Sequence, residues 1–123
     1  MAQHDAIILA MPAKFFKEYT WERFLKDIEG MNTIDNYSWY MIRKNLPKII
    51  TPYCYWIIDG KVKYRMEISH FEVNQDYAFS RPKGVLKHFI GANAIVLRGP
   101  VIEAPYDIPM RGFQGFRYTE LIF

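Results

Sequence analysis

The stretch YCYWIIDGKVKYRMEISHFEV, residues 53–73, decides the fold because it contains the strongest short-range signal in the chain. Asp59 and Gly60 separate two runs that are rich in β-branched and aromatic residues. Aspartate followed by glycine suits a two-residue type I′ turn, in which both central residues have positive φ. The stretch therefore predicts an antiparallel β-hairpin.

The register of this hairpin assigns each of its residues to a face of the sheet. If Ile58 pairs with Lys61, alternation along both strands follows directly. One face is then largely apolar and builds the core, with Tyr53, Tyr55, Ile57, Val62, Tyr64 and Met66. The opposite face is aromatic and basic, with Cys54, Trp56, Ile58, Lys61, Lys63 and Arg65.

Two elements are predicted upstream of residue 30. Residues 6–11, AIILAM, form a short apolar run that stops at Pro12, which favours a buried strand over a helix. Thr20 is a good N-cap for a helix that ends near Gly30. Its apolar residues recur at helical spacing: Trp21, Phe24, Leu25 and Ile28.

A second helix is predicted between Asp35, which can cap it, and Pro47, which ends it. Its apolar side carries Trp39, Ile42 and Leu46. Its other side carries Tyr40, Arg43 and Lys44, so we expect this helix to expose a basic and aromatic surface.

The chain beyond the hairpin alternates polar and apolar segments. Residues 74–80 read as a polar connection, and Ser80 can cap a short helix that ends at Gly91. The apolar residues of that helix are Val85, Leu86, Phe89 and Ile90. Residues 94–98 and 101–104 are predicted strands hinged at Gly99-Pro100.

The C-terminal region begins with an irregular loop bounded by Pro105 and Pro109. Residues 116–123, FRYTELIF, are apolar on both sides and predict a central or barrel-forming strand. The order of elements indicates a single α+β domain, with a curled, mostly antiparallel sheet and helices packed over its openings.

Composition limits the possible functions. The chain has 123 residues and a net charge of +3, and it contains no apolar run of membrane-spanning length. Its only cysteine, Cys54, excludes an internal disulfide and suits a reducing compartment, so we expect a soluble protein of the cytoplasm. Residues 37–66 and 81–98 are strongly basic, which favours an acidic partner such as nucleic acid if they share a face.

The common catalytic signatures are missing from the sequence. It contains no G-x-S-x-G, phosphate loop, H-E-x-x-H or glycine fingerprint, and no Cys/His pairs for zinc, so no metal and no cofactor are predicted. His70 is interpreted as a satisfied core or strand-end histidine. Cys54 is either a half-buried inert thiol or one whose pKa Arg65 lowers, and the first interpretation is favoured.

The run DNYSWYMIRKNLPKIITPYCYWIIDGKVKYRMEISHFEV, residues 35–73, resembles the centre of PUA-like domains, a superfamily that includes the PUA, ASCH, EVE and YTH families. By order of elements the resemblance extends over residues 6–123, but the glycine-lysine-glutamate-arginine signature of ASCH domains does not follow the first strand. The resemblance implies a curled barrel of five or six strands. It also implies that RNA or a modified base binds in a cleft between barrel and helix.

The expected binding residues combine cations for phosphates with flat side chains on which bases stack. The predicted helix and hairpin contribute Trp39, Tyr40, Arg43, Lys44, Trp56, Lys63 and Arg65. The glycine-containing stretch PMRGFQGFRYTELIF, residues 109–123, contributes Arg111, Phe113, Gln114 and Arg117. These four residues either form the rim of a pocket or belong to a structural corner in which Phe113 and Phe116 plug the barrel end.

Two further functions stay open at this level. One is a small nucleotide- or nucleic-acid-processing enzyme with His70, Glu67 or Glu72 as acid or base, although no titratable pair has a recognisable catalytic spacing. The other is a protein-interaction domain of viral or mobile-element origin. A binding module without catalysis is the favoured prediction.

Overall fold

The structure is a computed structural model that describes residues 4–35 and 37–123. It is an α+β fold, as predicted, and these described residues form two helices and six strands. In chain order the elements are β1 (Ala6–Ala10), α1 (Ala13–Tyr19), α2 (Trp21–Thr33), β2 (Ser38–Arg43), β3 (Tyr53–Ile58), β4 (Lys61–Ser80), a 3₁₀ turn (Pro82–Gly84), β5 (Leu86–Glu103) and β6 (Phe116–Thr119).

All six strands belong to one sheet with the order β2-β5-β4-β3-β1-β6. Its pairs are antiparallel except for β1 and β3, which run parallel. In the described part of the chain this sheet is not closed into a barrel, because β2 and β6 each have a strand neighbour on one side only.

The first strand and the helix capped by Thr20 are confirmed. Thr20 lies at φ 73° and its Oγ1 accepts a hydrogen bond of 3.2 Å from the Arg23 amide, which starts α2. The helix continues past the expected end at Gly30 to Thr33. A further short helix, α1, precedes it and was not predicted.

The Asp59-Gly60 hairpin is also confirmed, but its register is only partly as predicted. Ile58 pairs with Lys61 and Ile57 with Val62, after which a bulge shifts the ladder by one residue. Trp56 consequently pairs with Tyr64 rather than with Lys63. A bulge adds one residue to one strand, here β4, so Tyr64 and Met66 lie on the face of Trp56 while the residues of β3 keep their faces.

The predicted aromatic and basic face of β3 is buried and not exposed, because α2 covers it. Trp56 and Cys54 are completely buried in the main core, on the side of the sheet that Phe24 of α2 covers. Tyr55 and Ile57 lie in a second core on the other side. Both sides of β3 are therefore buried, and Trp56 is a core residue instead of an exposed stacking platform.

The predicted second helix is wrong: residues 38–43 form strand β2, and Asn36 lies outside the described residues. β2 pairs residue by residue with β5, from Ser38 opposite Arg98 to Arg43 opposite Asn93. Its aromatic and β-branched residues favour a strand. The hydrogen bonds of the ladder with β5 stabilise this strand more than the helical spacing of its apolar residues would stabilise a helix.

The predicted polar connection and short helix between residues 74 and 91 are wrong as well. Residues 74–80 continue β4, and residues 86–91 begin β5 after the 3₁₀ turn. The two strands expected on either side of Gly99-Pro100 are likewise one strand, β5. We call residues 75–92, the distal part of the β4–β5 hairpin, the arm.

The last strand is shorter and more peripheral than predicted. β6 has four residues and lies at the edge of the sheet beside β1, instead of in its centre. The rest of the C-terminal region packs over the second core through Ile108, Met110, Phe113, Ile122 and Phe123. This packing explains why both sides of residues 116–123 are apolar. Among the described residues, no helix is long and apolar enough to cross a membrane.

We expect Gly60→Val to destabilise the protein by more than about 1 kcal/mol, because Gly60 has φ 72° and a β-branched residue is strained there. No atom lies within 4 Å of an added Cβ, so the effect would come from the backbone alone. Gly60→Asn is the matched control, since asparagine tolerates positive φ. Urea denaturation measures both variants, and equal stabilities would contradict the turn.

We expect Gly99→Ala to cost about 1–3 kcal/mol or more, because its Cβ would overlap the carbonyl oxygen of Met31, where α2 lies against β5. Gly112→Ala should be milder, since its Cβ would meet only the Ala10 side chain, at 3.2 Å. Thermal unfolding of the two variants tests this contact. A Gly99→Ala protein no less stable than Gly112→Ala would show that α2 can move away freely.

Candidate nucleic-acid interface

A cleft with a volume of about 430 Å³ runs along the outer edge of β2. Residues 37–43 border it continuously, which means that the unpaired edge of the strand faces the cleft. Helices α1 and α2 form one wall, and the arm forms another. We call this space the β2 cleft.

The arm reaches α1 and so bounds the β2 cleft on one side. Lys87 Nζ lies 3.3 Å from Glu18 Oε1. The Arg81 guanidinium lies 5.2 Å from the centre of the Tyr19 ring. Because Glu18 and Tyr19 end α1, these contacts connect the arm to the helix across the mouth of the cleft.

Four cationic side chains line the β2 cleft: Arg23, Arg43, Arg81 and Lys87. Lys87 is paired with Glu18, and Arg23 Nε lies 3.6 Å from Asp27 Oδ1. Arg43 and Arg81 form no ion pair with any residue in ranges 4–35 and 37–123. Their guanidinium groups therefore keep their charge available to an anion in the cleft.

Asp27 is the acidic residue among those described in the cleft wall, and its carboxylate is already occupied. Tyr37 donates a hydrogen bond of 2.7 Å to Oδ1, and Tyr19 donates a short one to Oδ2. Burial, followed by the hydrogen bond to Asp27, raises the pKa of both tyrosines above the ordinary value. Both hydroxyls therefore stay protonated and continue to donate, which connects α1, α2 and the residue before β2.

Aromatic rings border the cleft from both faces of the sheet. Trp39 lies on the helix side, with its ring centre 5.4 Å from Trp56 and 5.8 Å from Phe24. Tyr40 lies on the opposite side, 5.7 Å from Tyr77 and more exposed. Adjacent strand residues alternate in direction, so the edge of β2 offers one ring to each face.

A second cavity, of about 420 Å³, opens at the end of β2. It lies between residues 42–45 and residues 114–116, just where β6 begins. Lys44 and Gln114 contribute polar groups to it, and Ile42 and Arg43 line it together with the β2 cleft. Ile42 and Arg43 therefore lie between the two spaces. We call this second space the β6 cavity.

The structure brings together some of the predicted binding residues and separates others. Trp39, Tyr40 and Arg43 line the β2 cleft, and Arg43, Lys44 and Gln114 line the β6 cavity. The remaining predicted residues line neither space: Trp56, Lys63, Arg65, Arg111, Phe113 and Arg117.

The residues outside the two spaces have structural contacts of their own. Lys63 lies 6.0 Å from the Trp21 ring, and Arg65 lies 4.7 Å from the Tyr53 ring and donates to the Phe123 carbonyl. Arg117 stacks on Phe113, at 4.1 Å from the ring centre.

The C-terminal stretch thus divides between the two alternatives considered for it. Phe113 packs against the second core and Phe116 against the main core, which agrees with the structural corner. Gln114 faces the β6 cavity, and Arg111 is exposed.

Sequence reasoning missed Arg23, Arg81 and Lys87 as cleft residues. Arg81 and Lys87 belong to the basic segment 81–98, so a charge signal was present. Assigning a helix to that segment hid their connection with β2, because only the strand arrangement carries the arm to α1.

His70 is exposed, whereas a satisfied core or strand-end position was expected, because a bulge between Ile68 and His70 shifts it. Its ring nitrogens lie 2.9 Å from Ser69 Oγ and 2.9 Å from Glu72 Oε2. Tyr77 donates to the other Glu72 oxygen at 2.7 Å, and the hydrogen bonds from Tyr77 and His70 lower the pKa of Glu72. None of these residues borders either cavity, so they form a surface network.

Cys54 is completely buried, whereas a half-buried inert thiol was expected. Burial raises the pKa of this thiol to about 12. Residues 4–35 and 37–123 contain no group of three or more His, Cys, Asp or Glu side chains that could hold a metal ion. A scan of protein-family models, a search of curated proteins and a search of solved structures found no match to the chain.

We expect Asp27→Ala to destabilise the protein by about 1–3 kcal/mol for each tyrosine hydroxyl that loses its acceptor. Arg23→Ala should cost about 1 kcal/mol or less, because Arg23 is partly exposed and its Nε lies 3.6 Å from a carboxylate that both tyrosines still hold. Urea denaturation of both variants measures the difference. If Arg23→Ala were the more damaging, the ion pair and not the tyrosine network would hold the wall of the cleft.

Proposed function

We propose that the protein binds single-stranded nucleic acid, RNA in preference to DNA, or a modified nucleotide in the β2 cleft. The observation that carries this proposal is the combination of four cations with a carboxylate already held by two tyrosines. A concave space with more positive than free negative groups attracts an anionic ligand that fits inside it. A large acidic surface cannot enter such a space.

Arg43 and Arg81 are the proposed phosphate contacts. A guanidinium group presents several donors in a planar fork, which matches the oxygens of a phosphate better than an ammonium group does. Arg81 also contacts the Phe79 ring, at 6.0 Å, and this contact restricts its position on the arm. Lys87 adds a third cationic contact when it leaves Glu18.

Tyr40, Trp39 and Phe89 are the proposed contacts for bases. Aromatic rings stack on any base, and such a contact contributes about 1–3 kcal/mol. Tyr40 is the most exposed of the rings on β2, which makes it the first candidate. Single-stranded ligands fit this arrangement because their bases can be splayed out, whereas bases in a duplex are stacked and paired.

A PUA-like architecture, with a sheet curled towards a barrel, is the proposed frame for this site. It is supported by the β6 cavity, which the end of β2 and the start of β6 border together although they are opposite edges of the sheet. Edges that share a cavity are brought near each other by curling of the sheet. The preference for RNA rests on the same resemblance.

We expect Arg43→Ala to weaken binding of a short single-stranded RNA by roughly 10-fold to 100-fold, as for loss of a charge-assisted hydrogen bond. The dependence of log affinity on log salt should also become shallower by about 0.7 for the lost phosphate contact. Fluorescence anisotropy at several salt concentrations measures both quantities.

Arg98→Ala is the matched control for this experiment, since Arg98 lies on the same sheet but pairs with Glu67 at 3.1 Å outside the cleft. It removes the same charge from the protein, so a general electrostatic effect would appear in both variants. Equal losses for Arg43→Ala and Arg98→Ala, or no binding by the unmodified protein, would contradict the proposal.

A further inference from the structure

The β2 cleft and the β6 cavity are neighbours along one strand. All of β2 lines the first space, and its last two residues, Ile42 and Arg43, also line the second. β2 has six residues, which corresponds to a length of about 20 Å. A single strand of about six nucleotides has this length when its bases are stacked about 3.4 Å apart. A stretched strand covers the same length with fewer nucleotides.

The edge of β2 supplies hydrogen-bonding groups along this path. β5 is its strand neighbour in the described structure, so every second residue of β2 directs its N–H and C=O groups away from the sheet. Such groups are obligatory hydrogen-bonding groups and form regularly spaced donor and acceptor pairs. Base edges carry donors and acceptors of the same kind.

Cationic groups are distributed along the whole path and not only at one end. Arg81 and Lys87 lie at the arm, Arg43 at the junction, and Lys44 in the β6 cavity. The described residues of the β6 cavity include no carboxylate. A single phosphate could use only part of this arrangement, whereas a polymer with a phosphate at each unit could use all of it.

We propose that the ligand is a single strand of several nucleotides that lies along the free edge of β2, from the arm to Gln114, and not an isolated nucleotide. This inference rests on the proposed function and narrows its ligand class. The strand's phosphates contact Arg81, Arg43 and Lys44 in turn, and its bases face the β2 edge and the rings beside it. An acidic extended peptide could also pair with a free edge, but the repeated cations favour the polymer with a charge on every unit.

A length series tests the inference. The probes are uridine monophosphate and oligouridylates of about two, four and eight nucleotides, measured by competition against one labelled oligouridylate. We expect affinity to increase by roughly 5-fold to 100-fold between the shortest oligonucleotide and those that reach the β6 cavity. The salt dependence should become steeper over the same step, because more phosphates are neutralised.

Three variants identify the path. Gln114→Glu is nearly isosteric and places a carboxylate in the β6 cavity, so it should weaken the long probes and leave the shortest ones unchanged. Arg81→Ala removes a cation at the arm and should weaken short and long probes alike. Arg98→Ala is the control of equal charge, and thermal unfolding verifies that all three proteins fold.

The outcomes separate this inference from the proposed function. The inference is overturned if uridine monophosphate and the longest oligouridylate bind with equal affinity and Gln114→Glu has no effect. In that case, weaker binding by Arg81→Ala would still support a nucleotide site. No binding of any probe overturns both. A glutamate-rich peptide that displaces the labelled oligouridylate better than the longest unlabelled oligouridylate also overturns the inference, because the edge would then serve a polypeptide.

Discussion

The antiparallel ladder between β4 and β5 is the constraint on which the other features depend. It runs from Tyr64 opposite Glu103 to Ser80 opposite Leu86 and is interrupted by several register shifts. Within the core it holds β3 on one side and β2 on the other. Beyond the core the same two strands continue as the arm, so a single ladder places both the edge of β2 and the cations that face it.

The two cores explain why this ladder can carry an exposed site. β1 and β3 are buried on both faces, with α2 over one face and the C-terminal region over the other. Burial of apolar area at the centre stabilises the sheet enough for an edge strand and an arm to remain exposed. The tyrosine network around Asp27 then connects the helices to β2 without leaving a free carboxylate in the cleft.

Prediction from the sequence succeeded where a few neighbouring residues decide the backbone. Asp59-Gly60 favours one turn, and the side chain of Thr20 caps the helix that follows it. It failed for residues 38–43, whose aromatic and apolar residues fit a helix by spacing and a strand by type. Of the predicted binding residues, Trp39, Tyr40, Arg43, Lys44 and Gln114 border the two cavities, whereas Trp56, expected to be exposed, is buried in the main core.

The sequence by itself determined the α+β class, the hairpin turn, the first strand, the capped helix and the basic character of residues 37–66 and 81–98. These features depend on backbone preferences and charges that act within a few residues. Only the tertiary structure decided that β2 is a strand, that Trp56 is buried and that Arg81 meets Tyr19. The physical reason is that sheet hydrogen bonds and bulges join residues far apart in the chain, so local patterns do not contain them.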